Sequence, residues 1–154
     1  MNIATLLRPS SVVVAAAALA AVATTAPAQA ADMAGTFPLC YQSKAKPGAV
    51  TMALDLLVVA PAKTMSGDVT MGQATNPPLD VKLAVKGGYT NIAKDRHHAE
   101  LVSPDMPGRH VKVMLTASKD WKAAIADYTL WLDTPAAPKT GKVALRMVPC
   151  TPAK

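Results

Sequence analysis

Glutamate is all but missing from this chain: Glu100 is the only one among 154 residues. Acid–base chemistry on paired carboxylates would have to be built from aspartates, and these are scattered singly. Aromatic residues are scarce as well, at 4%, with a single phenylalanine. A nucleic-acid surface wants clustered Arg and Lys interleaved with stacking groups. Here the lysines stand in ones and twos, so no nucleic-acid partner is expected and a solvated basic surface is. Beyond the first thirty residues no apolar run approaches the 18 or so residues of a membrane helix, so the chain is expected not to span a membrane. Motifs with a fixed chemistry are also missing. Beyond the first thirty residues the serines Ser43, Ser66, Ser103 and Ser118 lie outside any G-x-S-x-G elbow, "KGGYT" lacks the spacing of a phosphate loop, and neither cysteine sits in C-x-x-C. No cofactor and no catalytic set can be assembled, and the protein is expected not to be an enzyme.

What is present begins with an export signal. "MNIATLLRPS" carries Arg8 and no acidic residue, "SVVVAAAALAAVA" is a short apolar stretch, and Ala28-Gln29-Ala30 places small residues where a signal peptidase reads. Residues 1–30 are therefore expected to be a signal peptide, with residues 31–154 as one β domain and a periplasmic or secreted location. Export implies oxidising surroundings, and the two cysteines, Cys40 and Cys150, are expected to form one disulfide near the two ends of the domain.

The rest reads as strands separated by turns. In "LDVKLAVK", Leu79, Val81, Leu83 and Val85 face one way and Asp80, Lys82, Ala84 and Lys86 the other, a period that no helix keeps. "VTMALDLLVV", "HVKVMLT", "YTLWLD" and "KVALRMV" repeat it. "KPG", "APAKT", "SGD", "NPPLD", "KGG" and "SPDMPGR" read as joints. Only "SKDWKAAIAD" suggests a short helix, capped by Ser118 or Asp120, with Trp121, Ala124, Ile125 and Tyr128 as its stripe. The sum is an all-β antiparallel meander of about eight strands, closing as a small barrel or packing as a β-sandwich. A disulfide needs its Cα atoms within about 7 Å, so first and last strands should be neighbours, and parity turns both cysteines outward.

Candidate binding residues are few. Asn76, Pro77 and Pro78 make a stiff connection, which could serve as a preorganised partner loop. Trp121, in a charged stretch, is expected to be exposed and adhesive. His97, His98 and His110, with seven methionines after the leader, raise the alternative of a periplasmic Cu or Zn protein, although adjacent strand residues such as His97 and His98 point to opposite faces. Asp55 and Asp127 interrupt apolar runs and read as wet-face residues.

"GAVTMALDLLVVAPAKTMSGDVTMGQATNPPLDVKLAVKGGYT", residues 48–90, resembles a small family of bacterial domains of unknown function that share an "LLVV-P" run, an "SG" turn and an "NPPLD" segment. That resemblance implies a bacterial source and carries over no functional residue. A fainter likeness is to periplasmic lysozyme inhibitors, small disulfide-clasped β-barrels with "Y-x-C" at the start; here the order is "LCY", and their serine-glycine-tyrosine loop is missing. Together these readings lead to the expectation of a small exported binding or inhibitor-like module whose partner is an envelope protein or glycan.

Overall fold

The computed structural model describes residues 35–93, 95–104, 108–133 and 137–151; the expected signal peptide, residues 1–30, lies outside them. Eight strands follow one another: β1 Thr36–Ser43, β2 Thr51–Val59, β3 Thr64–Gln73, β4 Leu79–Ala93, β5 Arg96–Val102, β6 His110–Ser118, β7 Ala123–Trp131 and β8 Lys139–Val148. Each pairs antiparallel with the next, and β8 returns to β1, so the meander closes as a barrel rather than a sandwich. No described residue is helical.

Alternation decides which side chains fill the interior. Leu39, Tyr41, Met52, Leu54, Met65, Met71, Leu101, Leu115 and Leu130 are all fully buried and interdigitate in one core. At eight strands a barrel is just wide enough for side chains to fill it, and this one is filled. Met52 and Met71 face each other across β2 and β3 as part of that filling. Buried serine hydroxyls close two hairpins: Ser43 Oγ accepts the Met52 N–H at 2.8 Å, and Ser103 Oγ accepts the Val111 N–H at 2.8 Å. No buried side-chain nitrogen or oxygen among the described residues lacks a partner.

Three sequence expectations are corrected here. The stretch "SKDWKAAIAD" forms a tight β6–β7 turn and the start of β7, not a helix. Ala124, Ala126, Tyr128 and Leu130 bury alternately, and this two-residue period, paired on both sides, overrides the weaker helical stripe. "SGD" and "KGG" are not joints either. Ser66–Asp68 lies inside β3, and Gly87–Gly88 lies inside β4, the long strand that turns the corner from β3 to β5. Both corners need close backbone approach. A Cβ on Gly67 would overlap the Asp55 carbonyl oxygen, and one on Gly87 would overlap that of Glu100. Glycine here permits coiling within a strand, as at the corners of other barrels.

The seam is the weakest ladder. β1 and β8 share four register pairs, from Cys40–Val148 to Ser43–Leu145, against ten between β3 and β4. Cys150 lies beyond the end of β8 and is bonded to Cys40, with their Cα atoms 5.3 Å apart. Leu39 and Tyr41 face inward, so Cys40 faces outward and is covered by the bridge itself. The disulfide is thus a clasp over the shortest pairing in the barrel. It is consistent with an oxidising compartment.

Candidate functional site

The two ends of the barrel differ. One end carries the β2–β3, β4–β5 and β6–β7 turns together with the Cys40–Cys150 clasp. Trp121 closes it from inside. At φ 58° its backbone is left-handed, which directs the indole into the barrel, where it is only 4% exposed. The His97 imidazole stacks on it at 4.1 Å between ring centroids, and Tyr89 and Phe37 meet it edge-on at 5.4 and 6.4 Å. Tyr41 donates its hydroxyl hydrogen to the Trp121 carbonyl at 2.7 Å; burial, with Asp120 adding to it, pushes that phenol far above its usual value. The turn is tied by polar bonds. Ser118 Oγ donates to Asp120 Oδ1 at 2.7 Å, and the Lys122 N–H donates to the same oxygen at 3.2 Å. These bonds, the serine hydroxyl first, hold the Asp120 carboxyl below its ordinary range. Trp121 is therefore a core plug and not the exposed, adhesive residue expected from its charged neighbours. Flanking charges reveal that a turn is at the surface, but not where its one large side chain points.

The opposite end is a rim of loops. Here the β1–β2 loop, residues 44–50, faces the β3–β4 connection, residues 74–78, which contains the expected Asn76, Pro77 and Pro78, all exposed. Asn76-Pro77 is a cis bond. The first loop is tied to the end of β3, the strand that leads into the second, and the second is braced within itself. Gln73 Nε2 donates to the Gly48 carbonyl at 2.9 Å, and Thr51 Oγ1 donates to the Gly72 carbonyl at 3.0 Å. Thr75 Oγ1 donates to the Pro77 carbonyl at 2.8 Å. Between the loops lies an open depression of about 610 Å³, with Lys46, Gly48, Thr51, Gln73, Ala74 and Asp80 among its lining residues. Asn76, Pro77 and Pro78 thus share one end, while Trp121 sits at the other, and the four cannot form one surface. Sequence reading passed over Gln73 and Lys46. A polar residue closing a strand just before a proline turn is the signal that marks Gln73.

The histidines do not converge. His97 faces inward at the plugged end, with Nδ1 2.7 Å from Asn91 Oδ1 and Nε2 3.1 Å from the Lys119 carbonyl. His98 faces outward beside Thr116, and His110 stacks on Trp131 at the rim end. Among the described residues no three His, Cys, Asp or Glu side chains are grouped to hold a metal. Asp127 pairs with Lys142 on the outer face at 3.2 Å, and Asp55 is exposed.

No curated protein matches the chain. A family model described as "Domain of unknown function (DUF1842)" matches residues 34–134, from the threshold of β1 to just past β7, and the chain belongs to that family.

Proposed function

We propose that the protein is an exported, non-enzymatic binding or inhibitor-like module of the bacterial envelope, and that it meets its partner with the rim formed by residues 44–50 and 74–78. The observation that carries this reading is the pair of neighbouring loops around an open depression, the first bonded to the strand end that leads into the second, on a filled and clasped barrel. Such loops lose little freedom on binding, which favours affinity without a deep cavity. The filled interior directs recognition to the outside of the molecule.

The test is retention from an envelope extract on the immobilised, disulfide-bonded protein. The expected result is a protein or glycan retained by the parent chain and released when Asn76, Pro77 and Pro78 are all replaced by glycine. Failure to retain any envelope component overturns the proposal. Titration with copper and zinc, alongside His98→Ala, tests the metal-binding alternative: a stoichiometric response that the substitution abolishes would favour it.

A further inference from the structure

One stretch of the barrel wall is unfinished. β1 pairs with β8 only up to Ser43–Leu145, and the chain then leaves as the β1–β2 loop. The first part of β8, Lys139–Ala144, pairs with β7 and has no second neighbour among the described residues. Strand geometry tells which groups are left open. Met147 N–H points to the β7 side, donating to the Lys122 carbonyl at 2.8 Å. Successive residues alternate sides, so Val143, Gly141 and Lys139 also turn to β7. Thr140, Lys142 and Ala144 turn their N–H and C=O groups to the open side.

A second, independent observation lies beneath this edge. The inward side chains of β8 are the least covered in the barrel: Leu145 is buried, but Val143, under the open stretch, and Met147, where β1 already pairs, remain partly exposed. A stretch of β4, Leu79–Val85, likewise has no second neighbour among the described residues, but there only Leu83 is partly exposed, while Leu79, Val81 and Val85 are buried. Among the described residues, then, this part of β8 is open in its backbone bonding and thinly covered at Val143.

Charge selects the occupant. Lys142 lies on the outer face of this edge, where its exposed ammonium also meets Asp127 of β7 at 3.2 Å, Lys44 and Lys46 flank the edge, and the chain carries a net charge of +6. A second copy docking β8 against β8 would bring Lys142 near its own counterpart, and like charges in register repel. Lysines commonly guard edges in this way. The same lysines attract an acidic strand.

We propose that Lys139–Ala144 accepts an extended peptide segment of a partner protein by strand addition, the segment alternating apolar residues, which cover Val143, with acidic residues, which face Lys142 on the outer side. This rests on the reading of the protein as a binding module and adds a surface separate from the Asn76–Pro78 loop.

Amide hydrogen exchange on the purified, disulfide-bonded protein tests it without any envelope extract, so an empty pull-down leaves the outcome readable. The probe is an acetylated, amidated octapeptide alternating valine and glutamate, with the valine–lysine analogue as control. The glutamate peptide is expected to slow exchange at Thr140, Lys142 and Ala144 by about tenfold or more, and the lysine peptide to leave it unchanged. Lys142→Glu should reverse that preference, and Thr140→Pro, which removes one edge N–H, should weaken binding of the glutamate peptide to the otherwise unchanged chain. Absence of protection, equal protection by both peptides, or protection of the same amides by self-association without peptide would each overturn the proposal.

Discussion

Trp121 concentrates more structural consequence than any other single residue at the plugged end. It fills the barrel with its ring, supplies the carbonyl for Tyr41 and offers the face on which His97 stacks. Truncation to alanine removes all of the ring contacts, and loss of a buried aromatic costs about 3–5 kcal/mol. Trp121→Ala should therefore lower the urea midpoint sharply, and Trp121→Phe should recover part of it. Tyr41→Phe leaves the Trp121 carbonyl without its donor, and a fall of about 1–3 kcal/mol in unfolding free energy is expected. Asp120 gives a pH signature. Its carboxyl is held below the ordinary 3.8 mainly by the Ser118 hydroxyl and then by the Lys122 N–H. The stabilisation it brings is complete above that ordinary value and fades as pH falls through the lower, folded value. Stability measured between about pH 5 and pH 2 should slope less in Asp120→Asn than in the parent. The sequence disclosed little of this: charged neighbours place residue 121 in a surface turn, and only the left-handed backbone at that position turns the indole inward.

At the scale of elements, legibility followed the strength of the two-residue period. "LDVKLAVK" and "HVKVMLT" alternate cleanly and were readable as strands, and the structure places Val81, Val85, Val111 and Val113 inside as that pattern requires. The joints were less readable, because glycine has two uses. In "SGD" and "KGG" it marks neither a turn nor an end. It lets a neighbouring carbonyl approach where a strand coils, and a contact made between residues far apart in sequence leaves no local trace. Gly67→Ala and Gly87→Ala are expected to cost more than about 2 kcal/mol each, since backbone carbonyls have to move. Gly72→Ala meets the Thr51 hydroxyl oxygen at 3.1 Å and the Leu79 carbonyl oxygen at an ordinary 3.8 Å, and should cost clearly less. Thermal unfolding of the three variants side by side checks the ranking.

For the whole molecule, closure was foreshadowed by two cysteines near the ends of a meander, and choosing barrel over sandwich needed the β1–β8 register. The clasp encloses a loop with a sequence separation of 110. The chain-entropy description assigns about 4–5 kcal/mol to a loop of that size. Cys40→Ser with Cys150→Ser should lower Tm, and exchange should rise first at the β1 and β8 amides, while the long β3–β4 ladder keeps its protection. Uniform acceleration through all eight strands would contradict the view of the seam as the weakest ladder. The clasp also gives the molecule a base. Residues 35 and 151 both emerge beside it, on the far side of the barrel from Gln73 and Pro77. A carrier, bead or sensor chip joined at either point would set every copy standing in one orientation, with the proline connection held out into the medium like the head of a pin.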